Sequence, residues 1–163
     1  MNPESILFLD FDDVLNTARS LEEGRLFEKT NIDALNQILD RSQARVVVTS
    51  MWRIGSNREE LEELLLNAGA HVRRRVIGQT PLLQGKSRGS EIRAWIRSSG
   101  LCIDVMVILD NRDDMDEYRE HLVRTDPASG LNVRSVRSAL RLLEGEPLAR
   151  PARNQPSRLC QAL

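Results

Sequence analysis

Three short, densely apolar runs punctuate the chain: Ser5–Asp10 (SILFLD), Ala44–Thr49 (ARVVVT) and Ile103–Asp110 (IDVMVILD). Runs of this length without polar alternation are expected of strands buried on both faces of a parallel sheet. Two weaker strand candidates, Val72–Ile77 and His121–Arg124, are interrupted by charge, which suits positions toward a sheet edge. Helical patterns lie between the runs. Thr30 with Asp33 resembles a capping box ahead of a face formed by Ile32, Leu35, Ile38 and Leu39. Ser56 with Glu59 forms another, followed by Leu61, Leu64 and Leu65 and a stop near Gly69. A third helix carries Ile92, Trp95 and Ile96 and ends near Gly100; a fourth starts around Asn132 and presents Val133, Val136, Leu140 and Leu143. Strands alternating with helices predict an α/β fold: a doubly wound, mostly parallel sheet of about five strands with helices on both faces. Residues 1–145 are read as one domain, and 146–163, with three prolines and no periodicity, as a flexible tail.

Composition narrows this without changing it. At 163 residues, 40% apolar and 29% charged, the chain has the make-up of one globular domain. No apolar run approaches the roughly 20 residues of a membrane-spanning helix, and the first residues lack the basic start of a signal peptide. Cys102 and Cys160 match no metal spacing and are read as a buried thiol and a tail thiol, implying a reducing, cytoplasmic setting and no membrane partner. The net charge of −1 provides no global field for nucleic acid. Only Lys29 and Lys86 among the 23 basic residues are lysines, which singles out Lys86 after Gly85.

The candidate chemistry sits at strand ends. Ligands of open parallel sheets bind beyond the carboxyl ends of the strands. Three strong strands end in Asp10-Phe11-Asp12-Asp13, in Thr49-Ser50, and in Asp110-Asn111-Arg112-Asp113-Asp114. Two acid clusters at one edge repel unless a cation is shared, and Mg²⁺ suits one or two carboxylates completed by water and phosphate. With Thr49 and Lys86 on the same rim, metal, hydroxyl and ammonium make a seat for a phosphoryl group. A carboxylate beside that seat can attack phosphorus, and a second one two residues on can act as acid and then base.

In their order, Asp10-Phe11-Asp12-Asp13-Val14-Leu15-Asn16, Thr49-Ser50, Lys86 and Asp110 with Asp114 resemble the four motifs of the haloacid dehalogenase (HAD) superfamily, mostly Mg²⁺-dependent phosphatases. Leu15-Asn16, Met51-Trp52-Arg53 and Thr125–Leu131 bring the likeness closer to the small HAD domain of Swiss Army Knife RNA-repair proteins, over roughly residues 5–144. The resemblance implies that Asp10 is nucleophile and metal ligand, and Asp12 general acid/base with its main-chain carbonyl on Mg²⁺. It implies that Thr49 and Lys86 hold the phosphoryl group, that Lys86 also offsets charge around Asp10, and that Asp110 and Asp114 bind or support the metal. Ser50 remains an alternative to Thr49, and Asp113 to Asp114. Asp13 stands where many members carry glycine.

Residues 17–43 and 51–85 leave no room for the cap domain that many relatives insert, so a HAD-like Rossmannoid without a cap is expected. An open site admits a bulky phosphorylated substrate, with RNA or DNA ends favoured. Arg53, Arg58, Arg73–Arg75, Arg88 and Arg112 are candidates for contacts to a phosphate backbone. The expected activity is hydrolysis of phosphomonoesters through an aspartyl-phosphate. Two alternatives stand beside it: a Mg²⁺-dependent nuclease of PIN or Toprim type, and a degenerate domain that binds phosphorylated ends or serves as a scaffold. A P-loop is excluded, because the glycine it needs five residues before Gly85 is Thr80.

Overall fold

A computed structural model describes residues 4–146, so the expected tail lies outside the described residues except for Glu146. Five strands form one parallel sheet: β1 (Glu4–Leu9), β2 (Arg45–Val48), β3 (Val76–Gln79), β4 (Ile103–Asp110) and β5 (Leu122–Arg124), in the order β3-β2-β1-β4-β5. The connections carry α1 (Ala18–Glu22), α2 (Lys29–Asp40), α3 (Arg58–Asn67) and α4 (Arg88–Ser99), and α5 (Val133–Leu143) follows β5. The strong apolar runs occupy the three central strands because both of their faces are covered. Leu7, Leu9, Val46, Val48, Val107 and Leu109 pack with apolar residues of α2, α3 and α5. Ile6, Phe8, Val47, Met106 and Ile108 face Ile92 and Trp95 of α4 on the other side, where Phe8 and Trp95 meet edge-on at 5.6 Å.

Local boundaries depart from the pattern for identifiable reasons. The weak strand begins at Val76, not Val72. Arg75 N–H bonds back to the Val72 carbonyl at 2.7 Å, Arg74 takes a left-handed φ of 60°, and the Arg75 guanidinium binds the Leu39 carbonyl at the end of α2. The Thr30–Asp33 box does not form. A bond from Glu28 N–H to the Leu15 carbonyl sets the chain's entry into α2, and Glu28 caps it without a side-chain bond. The second box forms one residue later, as the reciprocal pair Asn57 and Glu60. The other two helices follow the pattern: α4 stops at a left-handed Gly100, and Asn132 caps α5, although Val133 points to solvent.

Residues 17–43 hold α1 and α2, and residues 51–85 hold a 3-10 turn, α3 and β3; no cap domain covers the carboxyl edge. No described helix is long and apolar enough to cross a membrane. Cys102, expected to be a buried free thiol, is half-buried and disulfide-bonded, which removes that support for a reducing compartment. Cys160 lies outside the described residues.

Candidate active site

Main-chain bonds extend the sheet by one residue past its strands and so align the candidate residues. Thr80 N–H bonds to Val48, Thr49 to Leu9, Asp10 to Leu109 and Thr125 to Asp110, at 2.8–3.0 Å. The carboxyl edge therefore reads Thr80, Thr49, Asp10, Asp110, Arg124 across the five strands, with neighbours separated by about one strand spacing of 4.8 Å and Thr125 one residue further on. Residues a hundred positions apart thus share one rim.

Asp10 and Asp110 are buried there, and one cation bridges them. The Arg88 guanidinium donates from Nε to Asp110 Oδ2 at 2.9 Å and from Nη2 to Asp10 Oδ2 at 3.4 Å. Its Nη1 reaches the Thr49 carbonyl and Glu91 Oε2, the latter at 3.1 Å. Glu91 also pairs with Arg53 at 2.8 Å, and Arg53 binds the main-chain carbonyls of Thr49, Ser50 and Thr80. The remaining oxygens, Asp10 Oδ1 and Asp110 Oδ1, accept main-chain N–H groups of Phe11 and Arg112 at 2.8 and 2.9 Å. Three buried carboxylates, of Asp10, Asp110 and Glu91, thus face two buried guanidiniums, of Arg53 and Arg88. One negative charge is left over, and burial together with the Asp110 charge pushes the Asp10 carboxyl up to about 7 despite Arg88.

Asp12 has a different environment. It is half-buried, and its carboxylate accepts only from neutral groups: Asn16 Nδ2 at 3.0 Å and Trp52 Nε1 at 3.1 and 2.9 Å. Asp13, in the place of the usual glycine, adopts the left-handed φ of 62° that glycine would supply, a conformation Asp tolerates better than most residues. Thr125 Oγ1 bonds to the Asp13 carbonyl, and Asn111 to its carboxylate, closing the turn against the β4 and β5 ends.

The two candidate hydroxyls also differ. Ser50 Oγ caps the 3-10 turn at Met51–Arg53 by accepting from Trp52 N–H, whereas the buried Thr49 Oγ1 has no hydrogen-bond partner among the described residues. Of the paired acids, Asp114 faces α4: its carboxylate accepts from Arg88 N–H at 3.1 Å and pairs with Arg112. Burial raises its pKa, but these donors outweigh burial and hold it below the ordinary value. Asp113 is exposed and turned toward Arg124.

Lys86 is not brought to the carboxylates. Its main-chain N–H bonds to the Leu83 carbonyl at 3.0 Å, but its side chain is exposed and makes no hydrogen bond or ion pair among the described residues. The cation that reaches Asp10 is Arg88, two positions on. Helical phase carried the missed signal, because Arg88 lies four residues before Ile92 and seven before Trp95, on the buried stripe of α4. The arginine rim is likewise corrected. Arg53 and Arg88 are internal, Arg58 and Arg112 are paired with Glu59 and Asp114, and Arg73–Arg75 precede β3 at the opposite edge of the sheet.

An uncapped, parallel α/β sheet that brings acidic residues of its first and fourth strands to one carboxyl edge has the architecture of a HAD-superfamily hydrolase domain. Residues 6–136 match the family described as the HAD domain in Swiss Army Knife RNA repair proteins, and the chain belongs to that family. No curated protein and no solved structure matches it.

Membership points to magnesium, and the residues present suit it. Asp10 and Asp110 supply hard oxygen donors, and the buried cluster lacks one positive charge. No three His, Cys, Asp or Glu side chains among the described residues form a cage. Mg²⁺ does not require one, since it commonly keeps waters and uses one or two carboxylates with substrate phosphate.

Proposed function

We propose that the chain is a Mg²⁺-dependent phosphatase that hydrolyses phosphomonoesters through an aspartyl-phosphate. The observation carrying this reading is the division of labour at the end of β1: Asp10 is buried on Arg88 beside Asp110, and Asp12 is held apart by neutral donors. Asp10 attacks phosphorus, the bond to the leaving oxygen breaks, and Asp12 gives that oxygen its proton. Asp12 then takes a proton from a water that attacks the acyl phosphate, and the Asp10 carboxylate is restored. The unspent Thr49 hydroxyl and the exposed Lys86 ammonium are assigned to the phosphoryl oxygens, with Ser50 retained as the turn's cap. Arg88 takes over the charge-balancing role around Asp10. Asp10, Asp110 and the Asp12 main-chain carbonyl would hold Mg²⁺, with Asp114 supporting them; the ion would offset the negative charge shared by nucleophile and phosphate.

A phosphorylated RNA or DNA end is the preferred substrate. The family's association with RNA repair supports this choice, as does an edge left open by the lack of a cap. The test is phosphate release in Mg²⁺ from p-nitrophenyl phosphate and from 3′- and 5′-phosphorylated oligonucleotides. Wild type is expected to turn over, and Asp10→Asn to lose roughly a thousand-fold or more. Lys86→Ala is expected to weaken mainly KM. Phosphodiester cleavage surviving Asp10→Asn would replace the phosphatase with a nuclease, and tight binding of phosphorylated ends without turnover would replace it with a scaffold.

A further inference from the structure

The chemistry assigned to Asp12 demands a carboxyl group that faces the leaving oxygen in one orientation, and two side chains outside the reacting set fix that orientation. Asn16 is buried and its amide has no freedom to flip: Oδ1 accepts Asp13 N–H at 3.0 Å, so Nδ2 must face Asp12 Oδ1 and the Leu26 carbonyl. Trp52 is fixed by its ring. Phe27 stacks on the indole at 5.4 Å and 26°, and Phe11 meets it edge-on at 5.8 Å and 76°. Its single N–H is shared between the two Asp12 oxygens, at 3.1 Å to Oδ1 and 2.9 Å to Oδ2. Oδ1 therefore carries two donors and Oδ2 only one.

We propose that Trp52 and Asn16 are positioning residues for the acid/base carboxyl, leaving Oδ2 as the oxygen that passes the proton. The inference rests on the phosphatase reading and deepens it. It gives the aromatic group Phe11–Phe27–Trp52 a function beyond packing, because the stack aims one N–H at Asp12. A fold-stabilising role alone would not require that donor to meet a carboxylate in a half-exposed position, where water could satisfy both groups.

The leaving group separates positioning from structure. kcat/KM covers the steps through leaving-group departure, and p-nitrophenolate departs without needing a proton, whereas an alkoxide does not. Trp52→Phe keeps an aromatic ring against Phe11 and Phe27 and removes the donor together with part of the indole. It should lower kcat/KM by roughly 10-fold or more on an alkyl phosphate such as glycerol 2-phosphate, and by less than about 3-fold on p-nitrophenyl phosphate. Asn16→Ala should show the same asymmetry. A second readout needs no turnover: of the two indole N–H signals in a ¹H–¹⁵N spectrum, from Trp52 and Trp95, only that of Trp52 should move in Asp12→Ala. Equal losses on both substrates, or a Trp52 signal indifferent to Asp12, would overturn the proposal and leave the phosphatase standing. A wild type inactive on every monoester would bring down both.

Discussion

Asp10 and Asp12 stand two residues apart at one strand end, yet the regions around them are built from different materials. The β1–β4 interior around Asp10 is ionic. Arg88, Arg53 and Glu91 knit it to β2, α4 and β4, and its acids outnumber its guanidiniums. The flank around Asp12 is neutral and aromatic, made of Asn16, Trp52, Phe27 and Phe11. The contrast follows from where the strand stops and from burial. β1 ends at Leu9 and residues 12–15 form a turn. Asp10 therefore stays at the buried sheet edge, where a charge must be paired, while Asp12, which strand alternation would have placed on the same face, is carried to the turn after β2. An ionic lattice holds charge at a price in desolvation and responds strongly to the loss of one member; a neutral fork orients a group without adding to the field.

The largest effect should come from removing the bridge. Arg88→Ala leaves Asp10, Asp110 and part of Glu91 unpaired in the interior, and should cost about 3–5 kcal/mol in urea unfolding. A loss below 1 kcal/mol would mean that the ionic region is not structural.

Asp10→Asn acts on the same region in the opposite direction, by removing its surplus charge. The Asp10 carboxyl is raised from 3.8 to about 7 in the folded chain, so between those values the native state holds a proton that the unfolded state has lost. Wild-type stability therefore falls as pH rises through that window and levels off above it. With metal chelated, Asp10→Asn should be as stable as wild type near pH 4 and more stable by on the order of 1–3 kcal/mol at pH 8. A pH-independent difference would contradict the assignment.

The neutral region should respond more weakly. Trp52→Phe should cost about 1.5–3 kcal/mol in thermal unfolding, the worth of a hydrogen bond to a carboxylate. A cost as large as that of Arg88→Ala would erase the contrast. The smallest effect belongs to Lys86→Ala, within about 0.5 kcal/mol because the residue is exposed and unpaired; any change should appear in KM.

The sequence by itself determined the sheet and the edge at which its acids gather. Continuous apolar runs require two covered faces, and the acids and hydroxyl that end those runs then have to share one rim. That placed Asp10, Thr49 and Asp110 on one edge before any coordinates, and the strand order β2-β1-β4 made them neighbours there. Only the tertiary structure decided which partners those groups keep. Lys86 and Arg88 are both cations near the start of α4, and composition favoured the rarer lysine; the helix turns position 88 inward and leaves 86 in water. Thr49 and Ser50 are adjacent hydroxyls, separated only when the 3-10 turn takes up Ser50. Trp52 stands in the sequence only as part of Met51-Trp52-Arg53, and the fold alone brings its N–H to a carboxylate 40 positions earlier. Periodicity reports which side of an element is apolar, and hydrogen-bond partners depend on how separate elements dock, which no local pattern records.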